Sequence, residues 1–583
     1  MNDISRQPHD NDSGRKKHPL LQGVIPALIA AFITFAVYAM TMARTIYWGD
    51  GIELSTVCDT LGIAHPTGYP LFTLAGYFFC RMIPQNPGLA TNIMCAFFGS
   101  LAVFGFFFTL DEALKLLPAG RFLDHAHRMM IAFAGSLTLG FTATFWHHCT
   151  LTEVYTLHIL FSAGLTWLFL KYIRTGSVRY FLVFFGAWGL SFTNHMLSLT
   201  LLPMAIVAII FLMFRKETSE QKPGRKAVPI LAAVILFAVG LLPYLYLPLR
   251  AAANPELNWG NPSTLENFLW LVSGGDFKKY QLLSQTAGQS FTLETFIMHS
   301  SFTIQRMMNW SVMEFFPFPD LFKEAKIGAL LAMIILSVWG MILLIKRNLY
   351  IFAGLAGLTL LGIVMCLVYN IVDIEPYFLS FLPALLIFMT VAFSDLLHRI
   401  ETSLSGRKIY YLPAILLFIP VMALTGHFSN LDKSENRDAY LYGEQILDHA
   451  PENAMILTIT DNDIFPLWYQ QKALDKRPDV TIIGTNFIHS GWYASYFQNR
   501  KQDAPDITIK HSDVPQSRGD FYLDLMLWVI EPNIKKHTIL MTFTDPILEE
   551  RYDVKQIDTI LKPVAYERAG DSYLPPPYLY RLN

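Results

Sequence analysis

Apolar stretches of roughly 20 residues recur along the first three-quarters of the chain, each able to carry a helix across a bilayer. They fall near 20–43, 90–115, 129–149, 156–172, 180–194, 196–214, 227–249, 327–345, 350–369, 376–395 and 409–426, about eleven spans in all. The first run is too long for a signal-peptide core and is expected to remain as the first span. With the N-terminus in the cytoplasm, the alternate connections 120–128, 171–180, 215–226, 346–348 and 398–408 are all rich in Lys and Arg, as cytoplasmic loops are. Counting 69–84 as a further span would break that alternation. This segment is therefore expected to lie along the interface or re-enter the membrane.

From about residue 427 the pattern changes. "NAMILTIT", "DVTIIG" and "HTILMTF" read as short buried strands, and "ENRDAYLYGEQILDHA" and "DIFPLWYQQKAL" as helices. "LPPPY" reads as an extended tail. The expected organisation is a cytoplasmic tail (1–19), a transmembrane domain (20–426) and an α/β domain outside the cytoplasm (427–583). The transmembrane domain would carry a first external loop at 44–89 and a large one at 250–326.

Composition agrees with this reading. The 583 residues are 53% hydrophobic and only 15% charged, against about 25% charged in soluble proteins. Mean hydropathy is +0.36. The formal net charge of −2 offers no basic surface, so nucleic acid is not an expected partner. Five scattered cysteines without a C-x-x-C pair support neither a disulfide framework nor a zinc site.

The polar residues that face away from the basic loops hold the candidate chemistry. Asp50 and Glu53 follow the first span. "GDGIEL" reads as a helix start, with Asp50 as N-cap and Glu53 in the capping-box position. Carboxylates so close to a membrane are also functional candidates, and one group can fill both roles. "HPTGYP" makes a stiff corner that brings His65 toward the same region. Glu153 and Tyr155 lie in "TFWHHCTLTEVYTL", and Asn194 and His195 in "SFTNHM". Arg250 ends a span, where it can hold a phosphate or snorkel to head groups. Asn258 and Trp259 sit where the large loop can fold back over a cavity, and Asp373 lies at a later external helix end. The expectation is a site at the mouth of a helix bundle that takes a lipid-borne substrate and meets an acceptor from outside.

"WGDGIELSTVCDTLGIAHPTGYPLF", "TFWHHCTLTEVYTLH", "SFTNHM", "LPLRAAANPELNWGNP", "YNIVDIEPYF" and "DNDIFPLWYQQKALDKRPDV" occur in this order. The chain thereby resembles a large family, mostly described as a domain of unknown function, whose animal members are receptor-directed protein O-mannosyltransferases. That family looks like the GT-C glycosyltransferases, multi-span enzymes using polyprenyl-phosphate sugars with an acidic residue in the first external loop. The resemblance implies a GT-C-like fold, Asp50 as base with Glu53 in support, and a juxtamembrane helix at 71–83. This chain departs from the adjacent acidic pair of many relatives: its acids are spaced Asp-x-x-Glu, which leaves open which one is the base.

The implied reaction is inverting transfer of a hexose, mannose by the resemblance, from a polyprenyl-phosphate sugar to a Ser/Thr or glycan hydroxyl. Arg250 and His195 are the expected partners of the leaving phosphate. No cofactor is expected beyond the lipid-linked donor, with a divalent metal left open. Expected partners are the donor, a protein or glycan acceptor and membrane lipid. A transporter or lipid-linked-glycan flippase is the alternative, and a ligand-sensing module a third reading. Compact loops and a single external N-x-S sequon (Asn309–Ser311) favour a bacterial inner membrane with the site facing the periplasm; an endoplasmic-reticulum lumen is its topological equivalent.

Overall fold

The structure is a computed structural model. It describes residues 19–117, 125–215, 226–280, 292–315, 323–371, 373–403, 412–490, 492–493, 497, 507–509, 521–559 and 578–582. The readings of the N-terminal tail, of the 120–128, 215–226 and 398–408 connections, of parts of the 250–326 loop and of "LPPPY" fall wholly or partly outside these residues.

Among the described residues each of the eleven apolar runs is largely helical. Among the described residues nine helices are long and apolar enough to cross a membrane: Gly23–Thr41, Pro87–Leu114, Tyr155–Thr175, Met196–Phe214, Ala227–Ala252, Glu324–Arg347, Leu349–Val368, Leu382–Ser403 and Pro413–Leu431. A tenth crossing is made if His125–Phe141 and Ala143–Cys149, bent by 69°, act as one. The run expected at 180–194 is the 15-residue helix Val178–Phe192, which stops at a turn through Thr193 and Asn194. Among the described residues nine or ten segments thus meet the length and composition of a crossing, beside the expected eleven.

Two boundaries also move. The span expected at 376–395 is Leu382–Ser403, because Pro376 sits in the short helix Glu375–Phe378 and the chain turns before the span begins. The final helix runs to Leu431 rather than ending at 426, with His427 buried against the Glu314 carbonyl. Inside the large loop lies Leu293–Phe315, a 23-residue helix that the hydropathy pattern does not announce.

The C-terminal domain forms a five-stranded sheet. Strands β1 (Met455–Thr458), β2 (Thr481–Gly484), β3 (Ile539–Met541), β4 (Val554–Thr559) and β5 (Tyr578–Leu582) lie in the order β2-β1-β3-β5-β4. The first three are mutually parallel, and β5 runs antiparallel to β3 and β4. Both β1 and β3 are buried at every position, as continuous apolar runs in parallel sheets are.

The packing ties this domain to the 44–89 segment that follows the first apolar helix. One core fills the helix bundle. The second joins Ile52, Leu54, Val57 and Phe72 of that loop to Tyr442, Ile446, Trp468 and Tyr469 of the C-terminal domain. Helix Gly51–Thr60 is thereby enclosed, with every residue from Gly51 to Cys58 buried. Helix Pro70–Met82 follows, leaving Leu74, Phe78 and Met82 exposed on one apolar face.

Candidate functional site

The site begins where helix Gly51–Thr60 starts. Gly51 lies against the Thr152 carbonyl so closely that a Cβ would come within 2.4 Å of it, so only glycine permits this approach. Asp50 occupies the N-cap position, but its backbone is helical and its side chain makes no capping bond. The capping box expected from "GDGIEL" is absent, and the reason is Glu53. That side chain is fully buried and turns to His65 instead of back to the N-cap. One carboxylate oxygen accepts the His65 backbone N–H at 2.9 Å and the other accepts Nδ1–H at 2.8 Å.

His65 lies at the corner that Pro66, Gly68 and Pro70 make. Its Nε2 is 3.2 Å from the Tyr69 hydroxyl and 3.7 Å from Asp50 Oδ2. Tyr69 donates its own proton to the Pro66 carbonyl, so the Nε2–H points outward toward the tyrosine oxygen and Asp50. Burial opposes a charge on His65, but Glu53 first, then Asp50 and Glu153, outweigh it and push the imidazole up to about 9. His65 is thus an imidazolium at neutral pH, held by Glu53 from behind.

Asp50 opens into a cavity of about 300 Å³. Its carboxyl is raised, by enclosure within the protein and by Asp373 and Glu53, although the His65 charge opposes this. Glu153 is raised well above the usual carboxylate range by burial and by Asp50. His195 moves the other way. Burial, His158 and His65 lower it to about 3. Its Nδ1 accepts the Leu197 N–H at 3.0 Å, which leaves the neutral ring's proton on Nε2.

The cavity brings together six of the residues singled out in the sequence: Asp50, His65, Glu153, Tyr155, His195 and Asp373. Glu53 stands behind it. Asn194 acts at one remove, donating to the Val154 carbonyl at 3.1 Å and so tying down the strand of chain that bears Glu153. Asn258 and Trp259 belong to a segment bridged to Ile63, and the Trp259 ring lies 6.0 Å from His65. Arg250 is placed elsewhere than expected. Its guanidinium donates to the Leu61 and Thr60 carbonyls, stapling the end of helix Gly51–Thr60 instead of lining the cavity.

Sequence reasoning missed the aromatic wall of Tyr69, Phe277, Tyr369 and Tyr377. Tyr69 stacks on His195, and Tyr377 meets His195, Tyr155 and Tyr369. Their signal resembled the ordinary belt of interfacial tyrosines. Leu197, Leu199, Met365 and Val368, from the ends of two span helices, form an apolar side. The cavity can thus receive a polar group against acids and hydroxyls and an apolar chain against the helices.

A family model described as the N-terminal domain of the protein O-mannosyl-transferase TMEM260 matches residues 50–221, and TMEM260-associated domain 2 matches residues 439–566. The chain belongs to this family. Relatives within it include the protein O-mannosyl-transferase TMEM260 of Mus musculus, 23% identical over 500 residues that cover 82% of this chain and 65% of that protein. The Dictyostelium discoideum protein of the same name is 25% identical over 521 residues, covering 81% and 59%. This chain therefore spans less than two thirds of the length of either. Among solved structures, ArnT from Cupriavidus metallidurans in the apo state superposes with a TM-score of 0.51 at 11% identity, covering 93% of this chain and 97% of that one. ArnT bound to undecaprenyl phosphate gives 0.50 at 11% identity, covering 97% of each. The family's fold here is a polytopic helical, GT-C-like membrane architecture with an α/β domain appended.

Proposed function

We propose that this chain is a membrane glycosyltransferase that moves a hexose, mannose by the name of its relatives, from a polyprenyl-phosphate sugar to a protein hydroxyl with inversion. The observation that carries the reading is the uncapped Asp50 carboxyl, open to the cavity, with the fully buried Glu53 and the imidazolium of His65 behind it. An acceptor hydroxyl is barely ionised at neutral pH, so a carboxylate must take its proton as the oxygen attacks C1. The new C1–O bond forms as the C1–O(phosphate) bond breaks, and the bonding pair leaves with the phosphate. A nearby carboxylate also stabilises the oxocarbenium-like transition state.

Asp50 suits the base better than Glu53, because both Glu53 oxygens are committed to His65. The leaving phosphate needs donors rather than a second acid. The Nε2–H of His195 and the hydroxyls of Tyr155 and Tyr369 lie along the cavity wall, the Tyr377 hydroxyl being engaged by Tyr369. The apolar side suits the start of a polyprenyl chain. The relatives named as protein O-mannosyl-transferases support a protein acceptor, and the site would face the periplasm or its topological equivalent.

Purified chain in detergent, given polyprenyl-phosphate mannose and a Ser/Thr-bearing acceptor protein, tests this reading. Asp50→Asn is expected to lower kcat by about 10²–10⁴-fold, the usual worth of a general base. Wild-type turnover in that variant would remove Asp50 from the role, and absence of sugar transfer by the wild type with any such donor would overturn the reading.

A further inference from the structure

The turn that presents Asp50 is held from outside the transmembrane domain. Gly49 adopts φ +103°, and its backbone N–H donates to Asn462 Oδ1 at 3.0 Å. Asn462 lies in the first turn of helix Asp461–Trp468 of the C-terminal domain, whose start is fixed by a capping box between Thr460 and Asp463. The preceding residue, Asp461, accepts from Asn486 Nδ2 at 3.1 Å and otherwise stands exposed beside the site. We propose that the C-terminal domain completes the active site, with Asn462 positioning Asp50 through the Gly49 amide and Asp461 binding the acceptor. The inference rests on the glycosyltransferase reading for its chemistry, and on the packing alone for the positioning.

Four further contacts hold the junction together. Trp48, two residues before Asp50, meets Tyr442 edge-on with ring centroids 5.7 Å apart. The Gly88 N–H donates to the Tyr469 hydroxyl at 3.2 Å. Trp259, packed against His65, stacks on Trp492 at 5.1 Å and meets Phe487 at 5.0 Å. The wall of the site is therefore shared between the large loop and the C-terminal domain.

Asp461 is suited to an acceptor rather than to the donor. A carboxylate repels a phosphate but accepts main-chain N–H groups and hydroxyls, which an extended Ser/Thr-bearing peptide presents. The charged groups that act on Asp50 are His65 and Glu53 from its own loop and Asp373 from another connection, while Asp50 in turn raises Glu153 and Asp461 of the C-terminal domain.

The test uses the full chain in detergent and three variants. Asn462→Ala is expected to lower kcat about tenfold with the donor KM unchanged, as a small misplacement of the base does. Asn462→Asp, which keeps an acceptor oxygen for the Gly49 amide, is expected to recover most of that loss. Asp461→Asn is expected to raise the acceptor KM about fivefold. By removing a negative neighbour of Asp50, it also moves the acid limb of the kcat/KM profile to lower pH. Amide hydrogen exchange needs no substrate: in Asn462→Ala, the peptide covering 45–54 is expected to exchange about tenfold faster while β1 and β3 stay unchanged. Unaltered exchange together with wild-type kcat in Asn462→Ala overturns the positioning role. An unchanged acceptor KM in Asp461→Asn overturns the binding role. A wild-type chain that transfers no sugar overturns the glycosyltransferase reading instead, and the exchange measurement still decides on Asn462.

Discussion

Glu53 is an acid that never meets the cavity, yet it sets the charge of the residue that does. His65 binds its proton more tightly in the folded chain, at about 9, than a free imidazole at 6.5. The sign follows from proton binding: the stabilisation is fully present below 6.5 and is lost as pH rises through about 9. At 1.36 kcal/mol per unit, the pH-dependent part is on the order of 3 kcal/mol. The melting temperature of the wild type is expected to fall between pH 6.5 and 9.5, and Glu53→Gln to flatten that slope. Equal slopes in both proteins would show that Glu53 does not hold the proton on His65. At this scale the sequence was informative about residue type and less so about role. Asp50 and Glu53 could be placed together from "GDGIEL", but their division of labour depends on His65, twelve residues away, turning back over the helix. Arg250 read as a phosphate ligand because a cation at a span end suggests one. The unfilled carbonyls at the left-handed end of helix Gly51–Thr60 claim it instead.

Among the elements, hydropathy located every apolar helix because length and apolar content are what a bilayer demands. It could not locate Leu293–Phe315, whose His299, Ser300, Ser301, Arg306 and Asn309 dilute the pattern. That helix has an identifiable task. Its Glu314 accepts the Thr144 N–H at 3.1 Å, just past the break in the 125–149 pair, and so caps the second half of the bent segment. Strands β4 and β5 were missed for a different reason: "VKQIDT" and "YLYRL" mix charges with apolar residues, as strands with a solvated face do. The short helix Val178–Phe192 is secured by backbone contact. A Cβ on Gly189 would come within 2.1 Å of the Phe237 carbonyl oxygen in helix Ala227–Gly240. Gly189→Ala is therefore expected to cost about 1–3 kcal/mol by forcing these helices apart. Thermal unfolding in detergent reads this directly, and an unshifted transition would show that the contact is not tight.

For the whole molecule, the sequence distinguished a membrane domain from an α/β domain by the change in pattern near residue 427. It did not reveal that the two share a core. Ile52, Leu54 and Val57 are buried against the C-terminal domain, so that domain is a structural half of the 44–89 segment. A chain ended after Leu431 is expected to aggregate in detergent, seen as loss of the monodisperse peak in size-exclusion chromatography. A well-behaved, sugar-transferring truncation would contradict the shared core.

The acid-rich wall of the cavity has one more consequence under the proposed reaction. The donor's phosphate is a diester with a single negative charge, whereas the released polyprenyl phosphate is a monoester able to carry two. Asp50 has by then taken the acceptor's proton, so the charge that leaves the base reappears on the phosphate, beside the Glu153 and Asp373 carboxyls. Two like charges brought close in a partly dehydrated space repel strongly. The cavity therefore tolerates the charge of its substrate better than that of its product. Turnover itself creates the force that drives the spent lipid back into the bilayer.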